Sequence, residues 1–301
     1  MQYRHVRYKL GGTLADQRIF DQYHVFNFFN PKGGLYFAFD KKNECYFSFG
    51  IANREPSRDN YKDADISRNP VPETLYDYEA GYSFKMSNFS AGANLYYMSY
   101  HNQLILTGQI NNVGEAIMVN VPHSYRAGIE LSAGLDLLQK KLQINANATF
   151  SRNRILNFTE YVDTYDPDWT PKGQDTIHHG ETGLSFSPNV IVNGIITYNP
   201  YRNLSISLNS RYIGRQYIDN TSNINRSLHD CFVTGAILAY TVKAKIFREI
   251  GFNLTINNIF SQKYETNGWV YPYYIGNQYK EDNGYFPQAP VNFLFGISLK
   301  I

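Results

Sequence analysis

Stretches in which apolar and polar residues alternate recur twelve times in this chain, and the connectors between them are by turns short and long. In the last stretch Val291, Phe293, Phe295, Ile297, Leu299 and Ile301 share one parity, and Asn292, Gly296, Ser298 and Lys300 the other, with Leu294 the exception. A period of two places successive side chains on opposite faces of a strand, so each strand has one face against apolar surroundings and one against water. The pattern recurs in Tyr76, Tyr78, Ala80, Tyr82 and Phe84, in Tyr125, Ala127, Ile129 and Leu131, in Leu142 to Phe150, and in Leu204, Ile206 and Leu208. The intervening residues are mostly Ser, Thr, Asn and Gly, with some charge. Such a face suits a wet lumen better than the dry space between two packed sheets.

The expected strands are 2–10, 28–40, 43–53, 72–86, 90–107, 121–136, 141–157, 183–198, 204–217, 227–242, 249–261 and 290–301. The long connectors are then 11–27, 54–71, 108–120, 158–182, 218–226 and 262–289. Short turns on one side and long loops on the other characterise outer-membrane barrels, whose turns face the periplasm and whose loops face outward. The expected fold is therefore all-β: a transmembrane antiparallel β-barrel wall of about twelve strands. A soluble Greek key does not require the asymmetry.

Composition agrees. Lys and Arg number 28 against 26 Asp and Glu, so no basic excess calls for nucleic acid as a partner. Tyrosine alone occurs 26 times, and its amphipathic ring favours membrane–water interfaces. No apolar run reaches the roughly 20 residues of a spanning helix. Cys45 and Cys231 lie far apart and form no framework. Met1-Gln-Tyr-Arg-His carries no apolar leader, so the expectation for an exported barrel is that an N-terminal portion precedes this stretch.

Several segments resemble one family. "YHVFNFFNPKGGLYFAFDKKNECYFSFGIANREPSR" at 23–58, "PETLYDYEAGY" at 72–82, "QLILTGQINNVGE" at 103–115, "NVPHSYRAGIEL" at 120–131 and "NLTINNIFSQKYETNGW" at 253–269 are similar to TonB-dependent outer-membrane receptors. The resemblance implies that residues 1–301 are the C-terminal portion of a β-barrel domain that has 22 strands in the family. It implies residence in a Gram-negative outer membrane and uptake of a scarce ligand, such as an iron–siderophore complex. Transport would be coupled to TonB only through a plug region that this stretch lacks. Gly296, Leu299 and Ile301 are similar to the C-terminal signal read by the barrel-assembly machinery, although that signal usually ends in an aromatic residue. The further expected partners are outer-membrane lipid and a small-molecule or metal-complex ligand.

The candidate ligand surface is aromatic loop material: Tyr161, Tyr165 and Trp169 in one long loop, and Trp269, Tyr271, Tyr273 and Tyr274 in another. Flat rings stack on sugars, catecholates and porphyrins. Asp77, Glu79, Lys85, Arg126 and Glu130 fall on the polar, lumen-facing side of their strands. His178 and His179 are adjacent, so they point apart in an extended chain and chelate one metal poorly. Asp163, Asp166, Asp168 and Asp175 lack the spacing of a calcium loop and read as solvated charge. His101 and His123 flank a loop, and Ser124 beside His123 is the nearest approach to a nucleophile–base pair. No catalytic, nucleotide or zinc motif is present, so neither an enzyme nor a cofactor is expected. The alternative is a self-contained twelve-stranded pore, translocator or outer-membrane enzyme.

Overall fold

Alternation becomes strand throughout the computed structural model, which describes residues 1–13, 17, 19–64, 69–110 and 116–301. In chain order the elements are β1 (Gln2–Thr13), β2 (Ile19–Asn30), β3 (Lys32–Ala38), β4 (Asn43–Arg54), α1 (Arg58–Asp63), β5 (Glu73–Lys85), β6 (Phe89–Ile110), β7 (Ala116–Leu137), β8 (Leu142–Ile155), β9 (Thr159–Tyr165) and β10 (Pro171–His178). They continue with β11 (Thr182–Gly183), β12 (Val190–Tyr201), β13 (Leu204–Ile213), β14 (Gln216–Tyr217), β15 (Ser227–Leu228), β16 (Cys231–Val242), β17 (Glu249–Asn257), β18 (Glu265–Ile275), β19 (Gln278–Pro287) and β20 (Asn292–Lys300).

One antiparallel meander runs β20-β17-β16-β13-β12-β8-β7-β6-β5-β4-β3, with β11 added to β8. β1 extends it by pairing with β2, which continues into β3 across Pro31. Proline has no amide hydrogen for a ladder, but the Pro31 carbonyl accepts from Ile51 N at 2.9 Å, so the strand keeps its course. Among the described residues β20 pairs only with β17, and β3 only with β4. Among the described residues the twelve passes therefore form an open arc of wall, with no pairing that closes them into a twelve-stranded barrel.

Register keeps apolar residues opposite one another. One row runs Leu35–Phe47–Ala80–Leu95–Ile129–Phe150 across β3 to β8. Another runs Ile144–Ile196–Leu208–Ala236–Ile256–Phe293 from β8 to β20. A slip of one residue would turn any of these strands inside out. On the opposite face, glycine admits a ring at two places. The Tyr46 ring lies where a Cβ on Gly81 would be, and Tyr96 covers Gly128 in the same way.

At the long-loop end β2, β6 and β7 run longer than the alternation suggests, whereas β12 begins only at Val190 instead of 183, β13 ends at Ile213 instead of 217, and β17 ends at Asn257 instead of 261. β2 begins at Ile19, inside the expected connector 11–27, because its upper part pairs with β1 (Thr13 opposite Ile19, Tyr8 opposite His24), and His24 also stacks on Tyr61 of α1 at 4.0 Å. Connectors 158–182 and 262–289 hold the hairpins β9–β10 and β18–β19. Parts of connectors 11–27, 54–71 and 108–120 lie outside the described residues. The buried apolar cluster Ile105, Val121, Ile155, Phe158 and Leu184 also lies at this end.

Candidate ligand site at the long-loop end

The two aromatic loops are one structure. β9 of the first pairs in parallel with β18 of the second, Tyr273 opposite Asp163 and Ile275 opposite Tyr165, giving the four-stranded order β10-β9-β18-β19. Gly276 N donates to Tyr165 O at 2.8 Å and closes the junction. Alternation sorts the side chains: Asp163, Tyr165, Tyr271 and Tyr273 share one face, and Glu160, Tyr274, Tyr279 and Glu281 the other.

The first face holds most of the candidates. Tyr273 is buried beneath Tyr165, Trp169 and Tyr271, with ring centroids 6.3, 5.6 and 5.5 Å away. Trp169 is exposed and held outward by a tight turn in which Trp169 N donates to Asp166 O at 2.8 Å. Asp163 is buried, against the expectation of a solvated acid, and accepts from Tyr271 Oη at 2.5 Å and Gln174 Nε2 at 2.7 Å. The Tyr165 and Tyr271 hydroxyls are 2.7 Å apart. The Tyr271 hydrogen goes to the carboxylate, so Tyr165 donates to Tyr271. Burial and the Asp163 carboxylate hold the Tyr271 phenol above its ordinary range.

Trp269 covers Gly284 of β19, where a Cβ would meet the indole nitrogen at 2.4 Å. Trp269 and Tyr161 line a mostly apolar cavity of about 350 Å³ together with Phe158, Phe186 and Ile218. Tyr274 departs from the others, facing Tyr279 edge-on at 5.4 Å on the second face.

That second face holds a residue the sequence reading missed. Arg226, 4% exposed, donates to Glu160 at 2.6 Å, to Asp219 at 2.7 Å, to Glu281 at 2.7 Å and to the Tyr279 hydroxyl. Burial works against the charged guanidinium, but Glu160, Glu281 and Asp219 together hold it above its already high range. Burial and the bond to Glu281 push the Tyr279 phenol up to about 12. His179 is not a free loop histidine: its Nε2 is 3.0 Å from Glu160. His178 instead meets Thr159 Oγ1 at 3.1 Å on the outer side of the hairpin.

Below the cap, the wall face opposite the apolar rows differs along its length. On β4 to β8 it carries charge. Asp77 and Arg126 flank Met98, with Glu79 one step and Glu130 two steps further along the same face. Glu130 accepts from Asn94 Nδ2 at 3.4 Å, and Asn94 in turn accepts from Tyr46 at 2.8 Å. Lys85 Nζ is 3.6 Å from Glu44. Asp77 Oδ1 and Arg126 Nε have no hydrogen-bond partner among the described residues. Arg126 instead lies over the Tyr100 ring, 5.3 Å from its centroid. Between β12 and β20 the same face forms an open groove of about 500 Å³ lined by Asn193, Asn209, Asn257, Asn258, Gln288 and Asn292, with Arg211 its one charge.

The remaining motifs separate. The rings of His101 and His123 meet edge-on at 4.7 Å. Ser124, the next residue on the strand, turns to the other face and donates to Gln103 at 2.5 Å, so no Ser–His pair forms. Among the described residues no cluster of three His, Cys, Asp or Glu could hold a metal, and both cysteines are free. No described helix is long and apolar enough to cross a membrane, which has no bearing on crossing by strands. At the chain end Gly296 pairs with Asn253 and Leu299 with Ile250, while Ile301 follows β20 and is exposed.

The comparison with known families rests on this wall. Residues 2–259 match the family described as "TonB dependent receptor-like, beta-barrel". The chain belongs to the TonB-dependent receptor β-barrel family. Solved receptors share its fold. The ferric-catecholate import receptor Fiu of Escherichia coli K12, in its closed form, is 16% identical, with a TM-score of 0.66 over 98% of this chain and 40% of that one. The siderophore receptor PiuA of Acinetobacter baumannii is 14% identical, with a TM-score of 0.70 over 95% of this chain and 38% of that one. The ferric yersiniabactin uptake receptor FyuA of Yersinia pestis is 15% identical, with a TM-score of 0.62 over 96% and 40%. The chain thus spans about two fifths of the length of these receptors. No curated protein matches it by sequence. The family is one of receptors and transporters, and its barrels reside in the outer membrane.

Proposed function

We propose that residues 1–301 form the C-terminal part of the barrel domain of an outer-membrane receptor that takes up a scarce ligand, such as an iron–siderophore complex. The wall faces outer-membrane lipid with its apolar rows. The long loops meet the ligand, and TonB supplies energy through the plug of the complete receptor. Gly296, Leu299 and Ile301 are the contacts proposed for the barrel-assembly machinery.

The observation that carries the reading is the joining of two separate loops into one sheet, with Tyr165, Trp169, Tyr271 and Tyr273 gathered on one face of it. An exposed Trp at the tip of a rigid hairpin gives a flat ligand a stacking surface at little entropic cost. Neutral amides in the groove below offer both donors and acceptors to a polar ligand.

The test uses the complete receptor in cells, with binding of a panel of ferric siderophores measured on intact bacteria. Trp169→Ala should weaken binding of the cognate complex about tenfold, the scale of one aromatic contact, with surface levels unchanged. If no ferric complex binds, the substrate assignment fails. If one binds and the substitution has no effect, the aromatic face is not the site.

A further inference from the structure

Loops rooted on different strands are free in principle to move separately. The hydrogen bonds around Arg226 point elsewhere. Its partners come from three loops: Asp219 from its own, between β13 and β16; Glu160 from the loop between β8 and β12; and Glu281 and Tyr279 from the loop between β17 and β20. We propose that Arg226 is a latch that makes these three loops one preassembled cap, so that they order and release together and present the aromatic face ready-formed.

Three features carry the proposal. The guanidinium has a planar fork of donors, which a lysine cannot imitate, and Nη1, Nε and Nη2 are all engaged. It is 4% exposed, so water cannot replace a lost partner. Three carboxylates surround one cation, with His179 bonded to the Glu160 oxygen that Arg226 leaves free. Removing Arg226 therefore leaves three acids facing one another, which drives the loops apart as well as releasing them. Glu160 lies on β9 next to Tyr161, and Glu281 lies on β19 opposite Pro272 of β18. The latch thus grips the back of the sheet whose front carries Tyr165 and Tyr273. Its bearing on ligand binding rests on the receptor function proposed above; the mechanical claim does not.

Hydrogen exchange on the complete receptor in outer-membrane vesicles, without ligand, tests it. The reporters are one amide per loop: Ile218, bonded to Arg226 O; His179, bonded to Phe158 O; and Gly276, bonded to Tyr165 O. Lys85 and Thr241, bonded to Lys42 O and Asn203 O at the wall turns, are the controls. In the natural protein the three reporters should exchange with one common protection. Arg226→Met should accelerate all three by roughly a hundredfold or more, the scale of breaking a buried charge network, with the controls unmoved. Arg226→Met combined with Glu160→Gln and Glu281→Gln should recover most of the protection.

Acceleration confined to Ile218 would overturn the latch. If Arg226→Met does not reach the membrane, Glu281→Gln carries the test: release of all three reporters supports the proposal, and release of Gly276 alone defeats it. A receptor that binds its ligand through independently moving loops would sink the latch and leave the function standing. A common cap that binds no ferric complex would do the reverse.

Discussion

The wall and the cap are built by opposite rules. In the wall, large apolar side chains lie on the surface: Phe293, Leu35 and Phe295 are 73, 77 and 60% exposed. Order there comes from ladder hydrogen bonds in register, and the outward rows are the ones proposed to meet lipid. In the cap, Ile155 and Val162 are fully buried, Phe158 and Leu228 nearly so, and a charge network closes the space between loops. The wall keeps its large apolar side chains outside and the cap keeps them inside, in one chain whose alternation looks alike in both.

The largest expected effect tests whether the two regions unfold separately. Phe158→Ala should cost about 3–5 kcal/mol of cap stability, the usual loss for a buried aromatic. Hydrogen exchange in vesicles should register it at His179 and Gly276 and not at Lys85 or Thr241. An equal loss in the wall would erase the distinction and make wall and cap one cooperative unit.

Next comes the facing of the wall. Leu254, between Leu238 and Phe295, belongs to the outward row, while Asn253 alternates to the other side. Leu254→Arg should cost about 2–4 kcal/mol in lipid, and Asn253→Arg far less. Denaturant titration of the refolded protein in lipid vesicles compares the two, and similar losses would contradict the assignment of faces.

A smaller effect probes the hinge between the regions. Asn258 is buried in a left-handed conformation (φ 49°), with its side chain donating to Gln262 O at 2.9 Å and Ala289 O at 3.2 Å, so it ties the two roots of the last loop together. Asn258→Ala should lose about 1–3 kcal/mol through those unmet groups. Asn258→Gly, which suits the backbone, should lose less. The order of the two melting temperatures decides whether backbone or side chain matters more.

The smallest effect is alkaline. Tyr279 is neutral in the folded cap, with its phenol raised to about 12 by burial and by Glu281. A raised folded value means its contribution is complete below the unfolded value of about 10 and is lost as pH climbs toward 12. Cap protection should therefore fall between about pH 10 and 12 in excess of any change in Tyr279→Phe. Equal pH profiles for the two proteins would show that the phenol is not coupled to the cap.

The sequence by itself determined the wall. Each expected strand has its counterpart in the sheet, because the side-chain period of a strand is local and the choice between its two faces is written at every second residue. Of the seven rings that the sequence singled out, the structure gathers Tyr165, Trp169, Tyr271 and Tyr273, while Tyr161 and Trp269 line a separate cavity and Tyr274 turns to the other face. What it missed depends on partners distant along the chain. The hairpins inside the expected loops, such as Thr159–Tyr165 with Pro171–His178, form by local pairing, but their joining into one sheet depends on β18, more than a hundred positions away from β9. Asp163 reads as solvated charge because burial is a property of what packs above a residue and not of its neighbours in sequence. Arg226, in an unremarkable Asn-Arg-Ser, gave no signal at all. Only the tertiary structure brings Glu160, Asp219 and Glu281 around it, because contacts closed through space between three loops leave no period along the chain.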